Sequence, residues 1–131
     1  MDQSAFSEAD VEAALPLTPL AFHVLLALAD GEKHGYGILK DIEQRSEGRM
    51  KTASGALYLA AERLVEKAMI EESDSRPDPA LDDRRRKYYR LTPFGRRVAV
   101  EEATRLVKLT NAALETGLID STGLPDVRED S

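Results

Sequence analysis

Apolar residues come in blocks along this chain, and the spacing inside each block predicts a small, mainly helical fold. Ser7 with Asp10 three residues on has the spacing of a capping box, which predicts a short helix from Glu8 to Leu15 that stops at Pro16. Thr18 and Pro19 read as the cap and first residue of the next helix. The segment LAFHVLLALADG behind them is apolar almost all round, as in a central buried helix, and Gly31 suits its C-terminal end. In HGYGILKDIEQRSEG, Tyr36, Leu39, Ile42 and Glu43 recur at helical spacing and Gly48 marks the stop. These two helices are expected to be joined by a tight turn over residues 31–35. TASGALYLAAERLVEKAMI predicts a further helix capped by Thr52 or Ser54, a choice the sequence leaves open. Its Leu57, Ala61, Leu64 and Ala68 share the core side, Gly55, Leu59, Glu62, Arg63 and Glu66 point outward, and Tyr58 lies on the boundary.

The period then changes. MIEES and RKYYRLT read as two short strands separated by DSRPDPALDDRR, whose prolines exclude helix and make a long hairpin loop. With Leu91 facing the core, alternation sends Tyr89 and Lys87 inward and Tyr88, Arg86 and Arg90 outward. Thr92 and Pro93 open a last helix to about Thr116, with an apolar stripe of Ala99, Ala103, Leu106, Val107, Ala113, Leu114 and Leu118. Helices, a two-stranded hairpin and a further helix, in this order, predict a mainly α fold with a β-wing: a winged helix-turn-helix. The expected division is an arm and short helix over 1–17, a DNA-binding domain over 18–92, a dimerisation helix over 93–119 and an acidic tail over 120–131. A helix longer than twenty residues projecting past so small a domain has little of its own chain to pack on, so a second copy is the expected cover.

Charge sharpens this picture only once it is partitioned. The formal net charge is -6, yet the acids gather at the two ends, and residues 18–114 carry 17 bases against 15 acids. Four consecutive cations, Arg84 to Lys87, stand at the base of the expected wing, where phosphates would lie. Salt confines the influence of remote acids to about 8 Å, so the local field decides. With no cysteine there is neither a disulfide nor a thiolate metal site, and the two histidines, His23 in the apolar helix and His34 in the turn, lack ligand spacing; both are expected to be structural, His23 buried and satisfied. No glycine-rich phosphate loop or nucleophile–base pair argues for catalysis, and no cofactor is expected. The longest apolar run, Val24 to Ala29, is too short for a membrane, and a cytoplasmic protein is expected.

HGYGI (34–38), SGALYLAAERLVEKAMIEE (54–72) and RRKYYRLTPFGRR (85–97) stand in an order and spacing that resemble the PadR family of transcriptional regulators, over roughly residues 17–110. The resemblance implies a homodimeric repressor on a palindromic site in double-stranded DNA, of the short subfamily with one C-terminal helix. It implies DNA-facing roles for Tyr36, Lys51, Thr52, Ser54, Gly55, Tyr58 and Arg63, and for the wing residues Arg84, Arg85, Arg86 and Lys87, with Tyr89 structural. It implies a dimer interface through Ala99, Ala103, Leu106, Val107, Ala113 and Leu114, covered outside by Val11 and Leu15 of the first helix. Family members often release DNA when a small molecule enters, and Phe22, Phe94 and Val98 are the candidate lining of an aliphatic pocket. Three positions depart from the family pattern: Leu59 where a polar residue or proline is usual, Glu62 where a base is common, and Ala68 where a glycine usually ends the helix. The rival reading is a winged-helix module that binds protein, without DNA, through the mixed face of residues 54–67, with Glu62 and Glu66 exposed.

Overall fold

In a computed structural model of the chain, residues 6–73 and 87–123 are described. The elements are α1 (Glu8–Ala13), α2 (Pro19–Ala27), β1 (Lys33–His34), α3 (Gly35–Arg45), α4 (Ser54–Glu66), β2 (Ile70–Ser73), β3 (Tyr88–Leu91) and α5 (Pro93–Glu115). The expected mainly helical fold with a small antiparallel wing is what forms.

Local chemistry sets most helix starts. Ser7 and Asp10 make the reciprocal capping box of α1, and Thr18 accepts from the Ala21 N–H ahead of Pro19 in α2. α4 is the exception: its N-cap is Ala53, with no side-chain bond, so neither Thr52 nor Ser54 caps it. α2 also stops at Ala27, before Gly31. The core side of α3 is Gly35, Ile38 and Ile42, whereas Tyr36 and Glu43 face outward.

The end of α4 shows why Ala68 departs from its expected place on the helix face. The Ala68 and Met69 N–H groups return to the Val65 and Leu64 carbonyls at 2.9 Å each, and Ala68 adopts φ 62°. It is the left-handed residue of a helix-ending motif that favours glycine. α3 ends in the same way, with Glu47 left-handed at φ 54° just before Gly48.

The sheet holds a strand that periodicity could not show. β1 pairs with the inner strand β3 (Lys33 opposite Tyr89, His34 opposite Tyr88), and β3 pairs in turn with β2. Two residues are too few to carry a period, and they fall inside the expected turn. The consequence is that Tyr88, expected outward, is buried: its ring meets the edge of His34 at 5.3 Å and 89°. Tyr89 is also buried, as expected, and desolvation with the nearby Glu72 carboxylate pushes its hydroxyl up to about 12. Lys87 is exposed.

α2 lies at the centre, with Val24, Leu25, Ala27 and Leu28 buried against Ile38, Ile42, Leu57, Ala61, Leu64 and Val98 of α3, α4 and α5. Thr92 locks the wing to this core: its hydroxyl donates to the Ala68 carbonyl at 2.6 Å and accepts from the Gly95 N–H at 2.9 Å. Gly95 is required here, because a Cβ would overlap the Met69 carbonyl. Val11 is 1% exposed in the core of its own chain, so it does not offer a partner the apolar surface expected of it. Among the described residues the buried His23 Nδ1 has no hydrogen-bond partner, contrary to the satisfied histidine expected there.

Candidate nucleic-acid interface

α3, the turn after it and α4 form the helix-turn-helix. Ser46 shapes the turn, its hydroxyl accepting from the Met50 N–H at 3.0 Å. α4 is held by Leu57, Ala61 and Leu64, which leaves Ser54, Gly55, Tyr58, Leu59, Glu62, Arg63 and Glu66 exposed, the face expected from the sequence. Nothing lies within 4 Å of where a Gly55 side chain would start, so a backbone or phosphate can approach there. Tyr58 is 37% exposed, and its ring edge packs on the bare backbone of Gly35. A glycine in HGYG is needed for that contact, which resolves the boundary position as part packing and part surface.

Tyr36, Lys51 and Thr52, all expected to face DNA, come together around a hollow of about 180 Å³ beside the start of α4. Tyr36 is 54% exposed, stacks on His34, and carries the Lys40 ammonium 5.4 Å above its ring. Lys40 was missed by the sequence reading, although its spacing of four from Tyr36 on one helix would have pointed to it. His34 is structural, its Nδ1 accepting from the Gly37 N–H at 3.1 Å to cap α3.

Arg63 does not belong to this hollow. It lines a separate cleft of about 360 Å³ between the α1–α2 connection and α4. In the wing, Arg84, Arg85 and Arg86 lie outside the described residues. Arg90 is not an available phosphate contact: it pairs with Glu71 at 2.5 Å and with Glu32 at 3.7 Å, and the Glu71 hydrogen bond raises its pKa further. Lys33 is likewise engaged, with Asp30 and the Ala27 carbonyl.

Val98 is fully buried, Phe94 packs on Phe6 at 5.2 Å, and neither they nor Phe22 line the two cavities above. Among the described residues there is no group of His, Asp and Glu suited to a metal, and no helix is long and apolar enough to cross a membrane.

α5 is buried only over its first half, at Gly95, Val98 and Glu102. Glu102 is held by two hydrogen bonds from Arg105 at 2.7 Å each, and these lower its pKa, with a smaller contribution from the Leu17 backbone N–H. Arg97 ties the helix to Glu8 of α1. Beyond Ala103 no residue of α5 is buried, and Leu106, Val107, Leu109 and Leu114 are 37–58% exposed.

Comparison with known proteins supplies the lineage. A PadR family transcription regulator from hypervirulent Clostridium difficile superposes with a TM-score of 0.63 at 22% identity, over 76% of this chain and 98% of that one. BpsR of Bordetella bronchiseptica, whose DNA binding is regulated by 6-hydroxynicotinic acid, superposes at 0.61 with 25% identity, over 88% of this chain and 79% of that one. An uncharacterised 37.1 kDa protein of a Streptomyces fradiae transposon is 35% identical over 103 residues, 79% of this chain, and this chain spans 27% of that protein's length. Residues 24–101 match the transcriptional regulator PadR-like family. That match takes in the last turn of the central helix, the helix-turn-helix, the wing and the lock at Thr92, and the chain therefore belongs to the PadR-like family of transcriptional regulators.

Proposed function

We propose that this chain is a homodimeric repressor that reads a palindromic DNA site with α4 and its wing, in the cytoplasm. The observation that carries the reading is the helix-turn-helix surface: an α4 face exposed along its length, with Tyr36, Lys40, Lys51 and Thr52 converging at its N-terminal end. Cations, a polar hydroxyl and an aromatic at that end are what phosphate positioning and base-edge reading call for. Arg84, Arg85, Arg86 and Lys87 supply further phosphate contacts from the wing.

Two copies are joined along the uncovered half of α5. Leu106, Val107 and Leu114 are the anchors, Ala103 and Ala113 let the helices approach closely, Ala99 is partly buried against its own core, and Leu15, half-buried, packs from outside. A two-fold dimer places half-sites about one helical turn apart, roughly 34–36 Å, on one face of the DNA. Footprinting on the region upstream of its own gene, at low salt, tests this. Protection is expected in two blocks one turn apart, and absence of protection at micromolar protein would refute it.

The protein-docking alternative keeps one specific support, the exposed Leu59, Glu62 and Glu66 along α4. Salt separates the two readings. DNA affinity falls log-linearly with salt, at a slope of roughly -0.9 per phosphate neutralised, whereas docking of a protein on Leu59, Glu62 and Glu66 displaces no condensed phosphate counterions and lacks that slope.

A further inference from the structure

We propose that Glu62 and Leu59 set the base preference of the DNA site, Glu62 accepting from the exocyclic amino group of a cytosine and Leu59 packing on the methyl group of a nearby thymine. The inference rests on the DNA-binding role proposed for α4 and adds to it which bases are read.

The outermost line of α4 is Gly55, Leu59, Glu62 and Glu66, spaced four, three and four residues apart on the side opposite the buried Leu57, Ala61 and Leu64. All four are exposed, Leu59 at 50%. The line holds no cation. Positive charge stands at its edges instead: Arg63 and Lys67 lie on the flank towards the α1–α2 connection, and Lys40 and Lys51 gather at the N-terminal end. Tyr58 closes the other flank against Gly35. A helix lying in the major groove meets phosphates along its edges and base edges along its middle. The middle here is an aliphatic side chain followed by carboxylates.

A merely solvated face would not need this distribution of charge. Glu62 and Glu66 stand four residues apart, and so do Arg63 and Lys67, so each pair sets like charges one turn apart, where they repel. Opposite charges at that spacing would support the helix instead. Glu62 has no hydrogen-bond or ion-pair partner among the described residues, which leaves both its oxygens available to what approaches α4.

An ionised carboxylate only accepts hydrogen bonds. Phosphate oxygens, guanine O6 and N7 and thymine O4 also only accept, so Glu62 rejects each of them. The donors in the major groove are the amino groups of cytosine and adenine, and adenine sets its N7 acceptor beside the amino group, where cytosine has none. Cytosine is therefore the base that Glu62 selects. Leu59 has no polar atom to offer, and the apolar substituent in the major groove is the thymine methyl. Three residues of helix separate the two side chains by about 4.5 Å along the axis, against ~3.4 Å between base pairs, which places the thymine within two base pairs of the cytosine. Gly55 lets the pair reach the bases: nothing lies within 4 Å of where its side chain would start, so the first turn of α4 comes down on the DNA with no side chain in between.

The test starts from the full chain and a pool of randomised double-stranded DNA, selected at low salt. The selected half-site is expected to hold a cytosine with a thymine within two base pairs of it, and exchanging that C·G pair is expected to lower affinity roughly 5- to 150-fold. In Glu62→Gln, whose amide both donates and accepts, the preference at that position is expected to move from cytosine to adenine. The readout is the ratio of affinities for the two bases, because removing a negative charge raises affinity for all DNA alike. Deoxyuridine in place of the thymine removes only the methyl; it is expected to weaken wild-type binding about fourfold and to leave Leu59→Ala unaffected. Circular dichroism establishes that both variants fold. A Glu62→Gln protein that binds every sequence more tightly and keeps the wild-type ratio shows that Glu62 only repels phosphate, and overturns its reading role. Deoxyuridine at every thymine of the half-site without loss of affinity overturns that of Leu59. A wild type that binds all duplexes alike overturns the base reading and leaves the DNA-binding role standing. A chain that binds no DNA at low salt refutes both and leaves the exposed line of α4 to protein docking.

Discussion

Replacing Thr92 by valine, and separately by serine, distinguishes whether the junction of wing and core is held by hydrogen bonds or by shape. Thr92 is 2% exposed; its hydroxyl accepts from the buried Gly95 N–H and donates to the Ala68 carbonyl. Valine preserves the outline and removes both bonds. Losing the bond to the Ala68 carbonyl costs about 1 kcal/mol, and stranding the buried Gly95 N–H by removing its cap adds about 1–2 kcal/mol. The expected loss is therefore roughly 2–3 kcal/mol, a large fraction of the 5–15 kcal/mol typical of a domain. Serine keeps both bonds and loses one methyl, about 0.8 kcal/mol. Urea unfolding at constant protein concentration measures both variants, and an unchanged m-value shows that the midpoint shift is a stability change. A valine variant as stable as the serine variant, or more so, would refute the hydrogen-bond reading. Because Thr92 joins β3, the end of α4 and the start of α5, the valine variant is also expected to weaken operator binding, and serine to retain it.

Ala68→Gly is expected to stabilise the protein by about 0.5–1 kcal/mol, because φ 62° costs alanine what glycine does not feel; a lowered urea midpoint would contradict the left-handed cap. Glu102→Gln probes the carboxylate held by Arg105 and, more weakly, by the Leu17 N–H. Since its folded pKa is lowered, its contribution is present above the unfolded value near ~4.3 and is lost as pH falls through the folded one. The difference in urea midpoint between wild type and variant should thus be largest at neutral pH and shrink in acid, and a difference that grows in acid would refute the assignment. Leu106→Glu with Val107→Glu is expected to convert a sedimenting dimer to monomer with α-helical content retained, and specific DNA binding should fail with it; a wild type that is monomeric at tens of micromolar refutes the interface. Lys51→Ala should weaken binding to all sequences about equally and reduce the salt slope by roughly one, measured by anisotropy at several ionic strengths.

Wherever local chemistry decides, this protein could be read from its sequence. The capping box at Ser7, the Thr-Pro starts at Thr18 and Thr92, and the inward Leu57, Ala61 and Leu64 all depend on residues within a turn or two of each other. So did the order of helices and hairpin, and with it the winged helix-turn-helix and the exposed face of α4. Tertiary structure decided what depends on residues distant in the chain. β1 exists because Lys33 and His34 meet β3, more than fifty residues later, and that pairing buries Tyr88 against the alternation read from its own strand. Ala68 left the helix face because the chain must turn back there into β2, a demand of the sheet that no periodicity carries. Val11 entered the core, and Arg90 was claimed by Glu71 and Glu32, through approaches set only when the elements pack. Tyr36 and Lys51 share one hollow while Arg63 faces another, since the first lies between α3 and the turn into α4 and the second between α4 and the α1–α2 connection, placements that a linear pattern does not encode. A helix's own sequence determines which of its faces is apolar; what that face meets is a property of the packed whole.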